Sequence, residues 1–257
     1  MKFLCFTFVL FFPILAVAGV QQKSGTIWGE PISYELVILQ NKNDPCDGKA
    51  LITAGGKNRV VINTVNFEKE ALTIWNTFEV SKKMPPTDLK SLMDHPAWKS
   101  GSSNQLHELE DLLEMAAWHP LYIKTLGTHQ NRRKARSDFV KTFESIRRQT
   151  IEHHELSHLL DKEKMRDLGD SSEVRAFLAE LAYGQNPLDS LWQAVAGMRN
   201  EIRQGKNLDA STMKIRLVLG KNFKILTDPQ SLAHLLYQNT NRDLVSMMSE
   251  QKRKGGA

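Results

Sequence analysis

The stretch TIEHHELSHLLD, Thr150 to Asp161, puts three of the chain's eight histidines and three acids into twelve residues. A solvated helix face has no need of so many imidazoles. An apolar core does not accept them unpaired, because a buried polar group without a partner costs free energy. Spacing decides what the segment can become. His154-Glu155-Leu156-Ser157-His158 is an H-E-x-x-H sequence. On a helix, residues four apart lie one above the other, so His154 and His158 can aim their rings at one point. Zinc takes imidazole nitrogens at about 2.0–2.1 Å in a tetrahedral site. Glu155 is offset by one residue, points beside the metal, and can take a proton from a zinc-bound water. One zinc per chain is the expected cofactor. His153, one step round the helix, is expected to be exposed.

The surroundings favour a long helix, running from about Ser137 to about Leu168. Ser137 or Asp138 can cap its start, and Gly169 suits its C-terminus. Phe143, Ile146 and Ile151 form an apolar stripe that continues into the two imidazoles, so the pair faces the interior or a cleft. Leu156, Leu159 and Leu160 supply a second packed side. Asp161, three residues after His158, reads either as a carboxylate that orients a ligand histidine or as a solvated acid.

The first eighteen residues belong outside the fold. MKFLCFTFVLFFPILAVAGV has Lys2, then an apolar run from Phe3 to about Leu15, and closes on Ala16-Val17-Ala18. This is the layout of a secretory signal peptide cleaved after Ala18. The run falls short of the roughly twenty residues a membrane span needs. The expected product is secreted or periplasmic, with no membrane span after cleavage. Its charge falls from +5 to +4 with the loss of Lys2. That is too little to argue for nucleic acid, and the basic cluster NRRKAR, Asn131 to Arg136, has no interleaved aromatics. It reads as a solvated helix start. Of two cysteines only Cys46 remains after cleavage, so no internal disulfide can form.

The rest of the chain divides simply. Residues 19–67 read as extended, with ISYELVIL and NRVVINTVNF as strands and NKNDPCDGK and AGGKN as turns. From about Phe67 the periodicity becomes helical. NQLHELEDLLEMAAW, EVRAFLAELAYG, NPLDSLWQAVAGMRNEIRQG and DPQSLAHLLYQNTNRDLVSMMSE are helices. Ser171 or Ser172 caps the second of these, and PPTDLKSLMDHP is a short helix or turn. The fold class is mainly α with a small N-terminal β-sheet, α+β. The expected organisation is a signal peptide over 1–18, one domain over 19–250 (a small β part to 67, helices from 68) and a disordered basic tail over 251–257.

HELSHLL followed by SSEVRAFLAEL resembles the metal site of gluzincin-type zinc metallopeptidases, in the zincin superfamily. The resemblance covers about residues 150–184. It implies a zincin-like domain in which a glutamate on the next helix is the third ligand, often with a small residue three positions on. Glu173-Val174-Arg175-Ala176 matches that habit. Glu180, seven residues further on the same face, is the alternative, and whichever is not a ligand would either support one or form an ordinary salt bridge. The implied function is a secreted zinc-dependent metallopeptidase. His154, His158 and Glu173 would hold zinc, and Glu155 would act as general base on a zinc-activated water. The expected partner is a peptide or protein substrate. Tyr183, Arg175, His119 and His129 are chemical candidates for stabilising an oxyanion. The other readings are a secreted zinc-binding effector or binding protein without peptidase activity, and a hydrolase of non-peptide amides.

Overall fold

A computed structural model describes residues 17–44, 46–81, 92, 94–100, 102–164, 170–205, 212, 215, 219 and 230–238. Four strands come first: β1 Val17–Ile27, β2 Glu30–Leu39, β3 Gly48–Ile52 and β4 Asn58–Asn63. They form one sheet in the order β1-β2-β4-β3. β1 and β2 are an antiparallel hairpin, β2 and β4 run parallel, and β3 pairs antiparallel with β4. The hairpin turns at Trp28 and Gly29, both with positive φ, 54° and 81°. Glycine adopts that conformation freely, but for an indole-bearing residue it is a genuine outlier.

Helices follow: α1 Phe67–Val80, α2 Ala97–Ser100, α3 Ser103–Thr128, α4 Arg132–Glu163, α5 Asp170–Tyr183 and α6 Pro187–Arg203. Residues 230–238 are helical as well. A small sheet followed by helices is therefore the observed class, α+β. Among the described residues no helix is long and apolar enough to cross a membrane. Of the expected leader, only Val17 and Ala18 are described, and they open β1. The basic tail and most of PPTDLKSLMDHP lie outside the described residues.

Local chemistry explains where the helices begin. Ser102 and Gln105 close a reciprocal capping box on α3, satisfying two donors that the first turn leaves orphaned. Pro187 opens α6, where a missing N–H costs nothing. α4 starts earlier than its periodicity suggests. The Asn131 side chain accepts from the Arg133 and Lys134 amides, so NRRKAR is the first turn and neither Ser137 nor Asp138 is the cap.

α4 carries two packed faces. Ile151, Leu156, Leu159 and Leu160 lie against Ile32, Tyr34, Leu36, Val60 and Ile62 of the sheet. Ala135, Phe139 and Phe143 join the larger cluster built with α1, α3, α5 and α6. Burying such side chains contributes about 1.5–3 kcal/mol each. Polar ties fix the register of helix on sheet. Lys23 Nζ meets Glu152 at 2.7 Å, the Tyr34 hydroxyl donates to the same carboxylate, and Lys162 Nζ donates to the Ala50 carbonyl at 2.6 Å. Gly48 of β3 packs directly against α4. A Cβ there would fall 2.6 Å from both Glu155 Oε1 and Ile151 Cγ2.

Candidate metal centre

α5 runs back along α4, so that His154 meets Glu180 and His158 meets Ser172 and Glu173. His154 Nε2 and His158 Nε2 lie 3.1 Å apart. Glu173 Oε1 is 3.3 Å from His158 Nε2, and its Oε2 is 3.6 Å from His154 Nε2. One ligand atom from each of the three residues falls within 4.8 Å of the others, and the group could hold a metal ion.

The other ring nitrogens explain why the Nε2 atoms face each other. His154 Nδ1 sits 2.6 Å from Glu180 Oε1, in a buried contact. A carboxylate only accepts, so Nδ1 carries the proton and Nε2 keeps its lone pair. His158 Nδ1 sits 2.8 Å from Ser172 Oγ, and that hydroxyl donates onward to Asp161 Oδ2 at 3.3 Å. The Ser172 oxygen therefore accepts from Nδ1–H, and His158 takes the same tautomer. Two imidazole lone pairs then stand 3.1 Å apart, a repulsive arrangement that a cation bound by both would relieve. With bonds near 2.0–2.1 Å, the donor–donor edge of a tetrahedral zinc site is about 3.3–3.4 Å. The Nε2–Nε2 separation of 3.1 Å lies near that edge, and each Glu173 oxygen approaches one ring, Oε1 at 3.3 Å from His158 and Oε2 at 3.6 Å from His154, so this donor set fits such an ion.

Glu173 thus stands with the two Nε2 atoms, and Glu180 grips the far side of one ring as an orienting carboxylate. Asp161 reaches His158 only through Ser172. Ser172 lies inside the first turn of α5, and its hydroxyl contacts His158. The sequence marks Ser172 only as a cap, so its contact with His158 goes unread there. Glu155 is buried on the neighbouring side of α4, facing Gly48 of β3.

His153 departs from expectation. It is partly buried, its ring centroid 5.7 Å from that of Tyr183, and burial holds its pKa below the usual histidine value. The fold packs α5 and the β1–β2 turn against a side of α4 that periodicity assigns to solvent. The four oxyanion candidates are engaged elsewhere. Arg175 is fully buried and bonds Asp161, while the Tyr183 hydroxyl accepts from the Trp28 amide at 2.9 Å. His119 lies edge-on to Phe78, and His129 faces Asp138 at 3.3 Å. Cys46 is a buried residue next to β3. Cavities of about 390 Å³ beside Trp75 and Arg132 and about 270 Å³ beside Trp28 and Tyr183 are not lined by the three donors.

No protein-family model, curated protein or solved structure matches the chain.

Proposed function

We propose that the chain is an exported, zincin-like zinc metallopeptidase of the gluzincin kind, hydrolysing peptide bonds. The observation that carries the reading is the convergence of His154 Nε2, His158 Nε2 and Glu173, with both Nδ1 atoms already committed to other partners. Three protein donors would hold zinc there, the number found in catalytic zinc sites. When bound there, zinc supplies a Lewis acid that lowers the pKa of water and polarises a carbonyl.

The chain's own groups do the rest. His154, His158 and Glu173 hold the ion. Glu180 and Ser172 orient the two rings. Glu155 follows His154 on α4, and its carboxylate takes a proton from the attacking water and returns it to the leaving amine. Packing of Glu155 against Gly48 limits where that carboxylate can go.

Two measurements test the proposal together. Elemental analysis of the purified protein should find zinc at about one per chain. Glu155→Gln should keep fold and zinc but lose about 10²–10⁴-fold in cleavage of a mixed peptide library, the usual contribution of a general base. A wild type that holds zinc and cleaves nothing would favour a zinc-binding effector. Protein that takes up no added zinc at neutral pH would end the enzyme reading.

A further inference from the structure

We infer that Arg175 is a positioning residue for His158, acting through Asp161 and Ser172, and that helical residues 230–238 complete this support through Tyr237. The inference rests on the metal-centre reading above. Ser172 Oγ is a hydroxyl with one proton and lies between two partners, His158 Nδ1 and Asp161 Oδ2. While it donates to Asp161 its proton is turned away from the ring, and its lone pairs accept the Nδ1–H of His158. Released from Asp161, it can turn and donate to Nδ1. The ring proton then moves to Nε2, the atom that must carry the lone pair. Asp161 thus sets the tautomer of a ring it does not touch.

Asp161 can do this only if it is held still and its buried charge is matched. It is 2% exposed, and an unpaired carboxylate there would be costly. Arg175, fully buried, supplies the match. Its Nε donates to both carboxylate oxygens at 3.1 and 3.2 Å, and its terminal nitrogen stands 2.9 Å from Oδ1. Arg175 follows Ser172 by three residues on α5, so the pair grips α4 one turn beyond His158.

The guanidinium has its own anchor. It donates to the Tyr237 hydroxyl at 2.7 Å and lies 4.5 Å from the centre of that ring. Tyr237 stacks on Trp28 at 3.7 Å and 7°. Trp28 occupies the positive-φ position of the β1–β2 turn, and its indole N–H donates to Ser157 between the two ligand histidines in sequence. Backbone strain of this kind persists only where surrounding contacts over-determine it. A strand turn near the start of the chain and a helix near its end thereby meet on the guanidinium that steadies His158. His154 needs no such relay, because Glu180 bonds its ring directly.

The full chain, wild type and variants, is titrated with Co²⁺, whose visible absorption reports four-coordinate geometry. Metal-free protein is examined by ¹⁵N spectroscopy of its histidines. Ser172→Ala should weaken Co²⁺ binding about 10–100-fold and change the absorption envelope, in line with loss of an outer-shell partner. Tyr237→Phe, which removes one hydroxyl, should weaken it by less, at about the lower end of that range. Ser172→Thr, which restores the hydroxyl, should recover most of the affinity. In metal-free wild type His158 should be protonated at Nδ1, and Ser172→Ala should shift it towards Nε2. These readouts separate positioning from general stability, which thermal melts of the same samples record. If the wild type binds Co²⁺ and both Ser172→Ala and Tyr237→Phe bind it identically, the relay is wrong and the metal centre stands. A wild type that binds no Co²⁺ overturns both.

Discussion

Gly48 lies where β3 passes α4, and replacing it with alanine tests how tightly the sheet positions Glu155. The new methyl would sit 2.6 Å from Glu155 Oε1, 2.6 Å from Ile151 Cγ2 and 2.9 Å from Glu155 Cγ. Non-bonded carbon contacts are comfortable at about 3.5–4.0 Å, so something must retreat by about 1 Å. The Glu155 side chain can swing away from the methyl, but Ile151 is fully buried and closely packed against the sheet, so relieving that second contact requires β3 to shift as well. Overpacking of this size costs about 1–3 kcal/mol. Alanine recovers about 0.5–1 kcal/mol over glycine in a strand, leaving a net loss of at most about 2.5 kcal/mol. The larger effect falls on chemistry, since a 1 Å misplacement can cost about 10²-fold. Gly48→Ala should therefore bind metal like the wild type, unfold slightly earlier in urea, and cleave a peptide library about a hundredfold more slowly. A variant with wild-type turnover, or a crystal structure in which Glu155 has not moved, would show that β3 does not set the base.

Three further outcomes follow from the same geometry. Glu173→Gln should lower metal affinity more than Glu180→Gln, because one stands with the ligand atoms and the other holds the back of His154; competition titration with a chromophoric chelator checks the order. Asp189→Asn should cost about 3 kcal/mol in urea unfolding, since Asp189 and Arg147 are both buried and pair at 3.0 Å, and the change leaves the buried guanidinium with its longer 3.6 Å contact to Glu70. Glu114 should make stability fall as pH rises. Burial first, then Asp111, Glu110 and Glu70, push its carboxyl up to about 7. The folded form then holds a proton that the unfolded chain releases near its ordinary value, so the full contribution is present below about pH 4.5 and is lost through about pH 7. The difference between wild type and Glu114→Gln across that window should be no more than about 3 kcal/mol, reduced by solvent screening of this part-exposed group.

What could be read along the chain was whatever depends on neighbours a few residues away. Helical hydrogen bonds join residues four apart, so the spacing of His154 and His158 already implied that two imidazoles share a face. The strands around ISYELVIL and NRVVIN, the start of α1 at Phe67 and the proline that opens α6 were legible for the same local reason. The limits of that reading begin at the helix ends. Asn131, Ser137 and Asp138 are all competent caps, and the choice among them fell to the side chain that reaches two free amides. Glu173 and Glu180 are seven residues apart on one helical face, so periodicity assigns them the same direction. Only the register of α5 against α4 separates them, bringing Glu173 to the Nε2 side and Glu180 to the Nδ1 side. The burial of His153, the approach of Gly48 to Glu155, and the meeting of Trp28, Arg175 and Tyr237 join residues far apart in the sequence. No local pattern encodes such pairs, because their energy appears only once distant apolar faces have packed and brought the polar groups between them into contact. The shared face of the two histidines was therefore determined by the helix, and the surroundings that let them hold a metal ion by the fold.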